Sequence, residues 1–255
     1  MKFEDLTKEH TEEEEKILRT YIKLNNVKDV IKGDYDILFK VNIALTEKKH
    51  CLFRWLSTLF IFITWSGLYR NIIYHTFLNR FFICLTSILS ADLISGLVHV
   101  YLDHSKIRYD NTVTDFNRMG FQVHHMYPDF QWKMDKDYQP HYECNTVLPI
   151  CIVVSFFNVL TFDSYFVYLF CYFIVLFQTG HYWSHAHVHN KSVPKAVRWL
   201  QDHYLLLKPS IHQKHHQSYD SNYCILNGWC NPIVNLLFKN KTLLDIYITV
   251  IDKLV

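Results

Sequence analysis

The sequence predicts an all-α integral membrane protein built as a four-span helical bundle. Half of its 255 residues are hydrophobic. They gather in four runs, at approximately 52–69, 81–102, 147–162 and 165–183. A helix of about 20 apolar residues is long enough to cross the hydrocarbon core of a bilayer. The third run is shorter, so we expect it to be tilted or supported by its neighbours.

The chain divides into three parts around these runs. Residues 1–50 are polar and contain a capping-box pattern, Thr11-x-x-Glu14, so we predict a cytosolic N-terminal segment with a short helix. This acidic start has no apolar core and does not resemble a secretory signal peptide. Residues 51–240 form the predicted membrane domain, and 241–255 a C-terminal tail.

The connections between the runs predict the topology. Those at 70–80 and 162–165 are brief, which favours two helical hairpins. Lysine and arginine crowd residues 1–50, 104–140 and 190–241, whereas the short connections hold only Arg70 and Arg80. The positive-inside rule therefore places both termini and the long central loop in the cytosol, and we predict the endoplasmic reticulum as the membrane. Buried helices of a soluble protein are the alternative.

Charge and cysteine usage exclude two other classes. The formal net charge is +2, so nothing indicates binding to nucleic acid. The seven cysteines are odd in number and form no CxxC pair. They are therefore expected to be reduced thiols rather than a disulfide framework or a zinc ribbon.

Histidine is the unusual residue, with 16 in the chain. His99 and Asp103 are four residues apart at the end of the second run, and His181 and His185 repeat this spacing in the fourth. Residues at i and i+4 share one face of a helix. The remaining candidates are the adjacent pair His124 and His125 and the set His212, His215 and His216.

These four clusters predict a histidine-rich site for two metal ions at the cytosolic face. One helical turn can aim the three histidines at 212, 215 and 216 at one point. His124 and His125 lie about 100° apart on a helix, so they could serve two metals, or one could act behind the ligands. Eight imidazoles with one carboxylate exceed the needs of one zinc and suit iron, and also copper or zinc. HExxH is absent, which disfavours a zinc protease.

Other polar residues are candidates for supporting these ligands. Asp92 lies on the helical face of His99, where it either makes a hydrogen bond within the bundle or orients a ligand imidazole. His189 continues the His181–His185 stripe if the helix persists, but Asn190 indicates that the helix ends nearby. The full set of supporting candidates is Asp92, His187, His189, Asp202 and His203.

At these residues the sequence resembles the Kua-type lipid desaturases, a family that includes plasmanylethanolamine desaturase, bacterial CarF and a plastid fatty-acid desaturase. The matching stretches are ADLISGLVHVYLD, HHMYP, HYWSH, LQD followed by HQKHH, and NYCILNGWCNP. They cover about residues 88–235. The chain departs from some members at Ile211, where they carry a further histidine, and the loop from Asp129 to Tyr142 matches poorly.

The resemblance implies desaturation of a lipid chain by two iron ions, with O2 as co-substrate and electrons from a donor such as cytochrome b5. It also implies a reacting bond close to the headgroup, as in the C1–C2 bond of the sn-1 alkyl chain of plasmanylethanolamine. A fatty-acyl desaturase or a hydroxylase fits the same residues. A zinc-dependent membrane hydrolase and a metal transporter are the alternatives from another class, although a transporter would place its ligands nearer the membrane midplane.

Overall fold

The described part of the chain is helical. The computed structural model describes residues 50–72, 75–106, 118, 121, 124–125, 148–153, 164–188 and 192–254. In chain order its helices are α1 (His50–Ile72), α2 (Phe77–His104), α3 (Ser164–Val188), α4 (Lys195–Asp202), α5 (Pro209–Ser218), α6 (Asn231–Phe238) and α7 (Lys241–Leu254). The described ranges contain no strand, which confirms the all-α prediction. The predicted N-terminal segment lies outside the described residues.

Two helices are long and apolar enough to cross a membrane. They are α2 and the stretch Tyr165–Ala186 of α3. Helix α1 contains a shorter apolar stretch, Thr58–Tyr69. Of the third predicted span, residues 148–153 are helical and the rest lies outside the described residues. Four spans therefore remain a prediction, of which two have the length and composition required.

Large apolar side chains cover much of the outer surface of α1 and α2. Phe62 is 70% exposed, Phe77 82% and Leu78 60%. Isolated exposed apolar residues are common on soluble proteins, but broad apolar faces are not. These faces have the character expected of helices that contact lipid.

The three long helices share one core. Phe60 of α1, Ala91 of α2 and Cys171 of α3 are buried together. Helices α1 and α3 approach closely at Gly67, where an added Cβ would lie 2.3 Å from the Tyr168 ring. This packing fixes the position of α3 and of the histidines at its end.

The C-terminal residues pack on α2 in a second core. Val100 of α2 is buried with Cys224 and with Val234 of α6. Within the predicted C-terminal tail, residues 241–254 form helix α7, and the hydroxyl of Tyr247 donates to the carbonyl of Leu97 over 2.8 Å. Apolar residues on one side of α7 find a partner in α2, which explains why this segment is ordered.

Candidate metal centre

The ends of α2 and α3 bring the first four candidates together. On α2, His99 Nε2 lies 3.3 Å from an oxygen of Asp103. On α3, His185 Nε2 lies 3.3 Å from His181 Nε2. The rings of His99 and His181 are 6.2 Å apart, centroid to centroid. The i, i+4 spacing thus gives the predicted pairs, and both candidate spans end at the same site.

Helix α5 delivers its histidines to two places rather than one. His216 Nε2 lies 3.0 Å from His212 Nε2, and His212 Nε2 lies 2.7 Å from His185 Nε2. His215 points elsewhere, with its Nε2 3.1 Å from His99 Nε2. The prediction that all three converge on one point is wrong, because successive residues are rotated by about 100° around a helix.

The adjacent histidines also separate. His124 Nε2 lies 3.1 Å from His181 Nε2. His125 Nε2 lies 2.9 Å from an oxygen of Asp103. Of the two interpretations left open by the sequence, this geometry matches the one in which the neighbours serve two metals.

The nine candidates therefore form two groups, and within each group the donor atoms lie within 4.8 Å of one another. The five-histidine group consists of His124, His181, His185, His212 and His216. The aspartate group consists of His99, Asp103, His125 and His215. The groups are immediate neighbours, since the rings of His125 and His216 are 4.8 Å apart.

Two backbone carbonyls set the tautomers in the aspartate group. His99 Nδ1 lies 2.8 Å from the carbonyl oxygen of Tyr223, and His215 Nδ1 lies 2.7 Å from that of Ser221. A carbonyl can only accept a hydrogen bond, so each Nδ1 carries the proton. In the neutral ring each Nε2 then presents a lone pair to the centre of the group.

Both carbonyls belong to the 219–230 loop, which joins α5 to α6 and is held by Asp92. One Asp92 oxygen accepts the backbone N–H groups of Asn227 and Gly228, each over 3.1 Å. The other accepts that of Cys230 over 2.8 Å. Asp92 therefore contacts the loop and not an imidazole, so the predicted direct support of a ligand is wrong and the hydrogen bond within the bundle is correct.

Two tyrosines connect this loop to the paired histidines. Tyr219 ends α5 in the left-handed conformation, with φ of 57°. Its hydroxyl donates to the carbonyl of His125 over 3.1 Å. The hydroxyl of Tyr223 donates in turn to the carbonyl of Tyr219 over 3.1 Å. The loop thus positions residues from three segments of the site.

The other supporting candidates lie away from the two groups or outside the described side chains. Asp202 and His203 are exposed at the end of α4. His203 stacks on Trp199 and its Nδ1 donates to the carbonyl of Trp199. Their predicted supporting role is therefore wrong, because both side chains are exposed and neither makes a described contact with a ligand. The side chains of His187 and His189 lie outside the described residues.

Comparison with known proteins identifies the family. A family model described as a lipid desaturase domain matches residues 88–243, which is more than half of the chain. The protein belongs to the lipid desaturase family. The matched residues include all nine candidates in the two groups. No solved structure matches the chain at a significant level.

Two curated relatives of this lipid desaturase family member come from Arabidopsis thaliana. The chain is 30% identical to fatty acid desaturase 4-like 1, chloroplastic, over 63% of its own length and 54% of the relative's. It is 29% identical to fatty acid desaturase 4, chloroplastic, over 57% of its length and 44% of the relative's. The chain thus spans about half the length of the curated relatives it matches.

The aspartate group of this lipid desaturase family member fits a metal cation. The lone pairs of His99 Nε2 and His215 Nε2 face each other at 3.1 Å, and Asp103 Oδ2 lies 3.3 and 3.4 Å from them. Within the described residues this oxygen receives no hydrogen bond. Three electron-rich atoms at such short range repel one another unless a cation lies between them. Imidazole with carboxylate is a donor set suited to iron or zinc.

The five-histidine group fits a metal as well. Burial lowers the pKa of His124, His212 and His216 well below the ordinary value of 6.5, and neighbouring imidazoles lower it further. These rings are therefore held neutral, which is the form that binds a metal. The donor set of five imidazole nitrogens without a carboxylate is suited to a transition metal rather than to calcium or magnesium.

A glycine next to His181 allows the loop to approach α3. A Cβ at Gly180 would lie 3.0 Å from the carbonyl oxygen of Leu226 and 3.1 Å from that of Ile225. We expect Gly180→Ala to lower the free energy of unfolding by about 1–2 kcal/mol, because the loop must shift and this cost exceeds the gain in helix propensity.

Thermal unfolding of the purified protein measures this effect. Thr179→Ala, a change at the neighbouring residue of α3, is the matched control and should stay within about 0.5 kcal/mol of the wild type. A Gly180→Ala protein as stable as the wild type would contradict the close approach of residues 225 and 226 to α3.

Sequence reasoning missed the supporting residues of the 219–230 loop. In the sequence, the stretch NYCILNGWCNP carries part of the family resemblance but indicates no role for its residues. Ser221 and Tyr223 act through backbone carbonyls, which every residue possesses, so residue identity gives no signal for them. The dense polar side chains around the stretch were the available clue, since Asn231 and Asn235 accept backbone N–H groups from Cys224 and Asn222.

Proposed function

We propose that this protein is an O2-dependent lipid desaturase that holds two iron ions, one in each group. The observation that carries the proposal is the division of eight histidines and one aspartate into two adjacent groups of convergent donor atoms. A single catalytic zinc uses about three protein ligands, so this donor set is larger than a zinc hydrolase requires. Two redox-active ions account for all nine residues.

The residues of the chain have three tasks in this proposal. The imidazole nitrogens and Asp103 hold the ions, and the carbonyls of Ser221 and Tyr223 keep His215 and His99 in the binding tautomer. Phe121 packs edge-on against His99 at 5.1 Å and helps to exclude water. When bound, the iron pair would supply the oxidising power that removes hydrogens from unactivated methylene groups.

The proposed reaction consumes the lipid, O2, two electrons and two protons. The lipid loses two hydrogens and gains one carbon–carbon double bond, while O2 is reduced to two molecules of water. Two more electrons are required, from a carrier such as cytochrome b5, together with two protons from solvent. The proposed reaction thus needs an electron donor.

The proposed substrate is an ether phospholipid, with the double bond formed at C1–C2 of the sn-1 alkyl chain of plasmanylethanolamine. The site supports a reaction near the headgroup, because His99 and Asp103 lie close to the end of α2 at His104. A lipid chain lying along α2 and α3 would present to the ions the carbons nearest its headgroup. The product is a vinyl ether.

A fatty-acyl lipid is the second candidate substrate. Both curated relatives are named fatty acid desaturases, which favours an acyl chain. An acyl chain that lies along the same helices would be desaturated near its carboxyl end. Hydroxylation begins with the same removal of hydrogen and would leave an alcohol in place of the double bond.

Expression of the full chain in cells that make plasmanyl lipids but lack their desaturase tests the proposal. We expect acid-labile vinyl-ether lipids to appear, provided that cytochrome b5 and its reductase are present. Lipid mass spectrometry measures them and, in the same samples, any new double bond or hydroxyl group in acyl chains. His181→Ala is the inactive control, since it removes one donor of the five-histidine group.

The outcomes separate the candidates. New acyl double bonds without vinyl ethers would show that the substrate is an acyl lipid and not an ether lipid. Hydroxylated chains would show that the reaction is hydroxylation and not desaturation. Unchanged lipids in cells that express the protein well would contradict a lipid-oxidising function.

The proposed placement is a four-span protein of the endoplasmic reticulum with the metal site facing the cytosol. The membrane placement is supported by the apolar helices α2 and α3, which both end at the site, and the proposed orientation rests on the Lys and Arg residues that surround the site in the sequence. The names of the two relatives place those proteins in the chloroplast. Fluorescence microscopy of the tagged full chain against markers of both compartments would decide between them.

A further inference from the structure

Part of helix α2 must lie in the hydrocarbon core if the helix crosses a bilayer. Crossing takes about 20 residues, and α2 has 28, from Phe77 to His104. Every stretch of about 20 residues within these bounds contains residues 85–96. Leu89, Asp92 and Ser95 therefore lie at hydrocarbon depth wherever the membrane boundary falls.

The 219–230 loop contacts α2 at this depth. Cys230 Sγ donates to the carbonyl of Leu89 over 3.3 Å, and Ser95 Oγ accepts the backbone N–H of Ile225 over 3.1 Å. Cys224 lies against Gly96, where an added Cβ would be 2.5 Å from its sulfur. A segment that follows the last predicted span thus returns to the level of the lipid chains.

Six of the seven backbone N–H groups from 224 to 230 donate to side chains of the protein. Irregular backbone is tolerated inside a membrane only where its polar groups are satisfied by protein. The side chain of Asn231 accepts the backbone N–H of Cys224, that of Ser95 accepts the N–H of Ile225, and that of Asn227 accepts the N–H of Trp229. Asp92 accepts the N–H groups of Asn227, Gly228 and Cys230. The carbonyl of Leu226 accepts the N–H of Leu207 over 2.8 Å.

The helices that follow the loop have broad exposed apolar faces. On α6, Leu236 is 76% exposed, and Ile233 and Leu237 are also exposed. On α7, exposed Leu243, Ile246, Val250 and Leu254 recur at helical spacing. The exposed charged residues of α7 are Lys241 at its first position, Asp245 and Lys253.

We propose that residues 224–254 form a membrane-embedded element, in which the loop and the start of α6 enter the hydrocarbon beside α2. The apolar faces of α6 and α7 contact lipid acyl chains. This inference rests on the proposed membrane placement of α2. It also means that the carbonyls orienting His99 and His215 are held by a segment that the bilayer itself covers.

The exposed apolar faces of α6 and α7 are assigned to lipid and not to a protein partner because they adjoin the exposed apolar surface of α2. At the same depth α2 exposes Ile94, at 39%, and this residue faces the medium that surrounds the span. Helix α7 is joined to α2 through Leu97, so its apolar stripe adjoins that surface. Lys239 follows the end of α6 and Lys241 begins α7, and their long side chains can reach the interface.

Cysteine accessibility tests the inference. The full chain is reconstituted in phosphatidylcholine nanodiscs that hold one copy each, so that no protein partner is present. Leu236→Cys, Ile94→Cys and Lys195→Cys are labelled with a membrane-impermeant maleimide, and peptide mass spectrometry reads each position separately from the natural cysteines. We expect Leu236→Cys and Ile94→Cys to react at least about tenfold more slowly than the exposed Lys195→Cys on α4.

The pattern of labelling separates a wrong placement of residues 224–254 from a wrong placement of α2. Fast labelling of Leu236→Cys with slow labelling of Ile94→Cys would overturn the inference and leave the span intact. Fast labelling of both would overturn the membrane placement itself. Protection of Leu236→Cys in native membranes but not in nanodiscs would indicate a protein partner instead of lipid. Equal labelling of all three variants in denaturing detergent confirms that each cysteine is reactive, and Leu254→Cys repeats the test on α7.

Discussion

Replacing His185 or His215 by alanine is expected to lower desaturation by more than about 100-fold and to remove one metal ion per chain. The two residues belong to different groups, so each variant should lose one ion while the other group keeps its own donors. Wild-type protein should contain about two irons per chain. Elemental analysis of the purified protein measures the metal, and lipid mass spectrometry the product.

His203→Ala is the matched control for these variants. His203 is an exposed histidine on Trp199, away from both groups, so its loss should change neither metal content nor product. Wild-type activity in His185→Ala or His215→Ala would contradict the assignment of that group. Stoichiometric zinc with no iron in active protein would contradict the redox function altogether.

Asp92→Ala is expected to destabilise the protein by at least about 3 kcal/mol, since three buried backbone N–H groups lose their acceptor and each costs about 1–3 kcal/mol unpaired. The same loop carries the carbonyls of Ser221 and Tyr223, so the variant should also retain less metal. Thermal unfolding measures the stability, and the metal content is measured after equal washing with a chelator.

Two further variants separate the loop's contribution from a general loss of charge. Asp92→Asn keeps one acceptor oxygen and should lose roughly the one hydrogen bond to Cys230, so its stability should lie between Asp92→Ala and the wild type. Asp202→Asn removes an exposed carboxylate on α4 and should change nothing. An Asp92→Ala protein with wild-type stability and metal content would contradict the role of Asp92.

Helical periodicity made most of the site predictable. His99 with Asp103 and His181 with His185 are i, i+4 pairs on single helices, and this spacing places each pair on one helix face, where the donor atoms lie 3.3 Å apart. The apolar runs were equally informative, because α2 and α3 are long enough for their sequences to indicate a span. Both signals are local, so a single sequence contains them.

The features that the sequence did not predict depend on long-range packing. The rotation of α5 about its axis decides that His215 joins His99 and not His212, and only the tertiary structure sets that rotation. Asp92 shares a face with His99, yet its partners are backbone N–H groups more than a hundred residues away in the chain. Helix α7 becomes ordered through Leu97 and Tyr101 of α2, contacts that its own pattern does not specify.

The separation of the two groups is determined by covalent neighbours. His124 and His125 contribute to different groups, and so do His215 and His216. Two peptide linkages therefore join the two groups, and peptide geometry is nearly inextensible. The spacing between the two groups of donor residues is consequently limited by the backbone, so changes in the surrounding loops or lipids would move the two groups together.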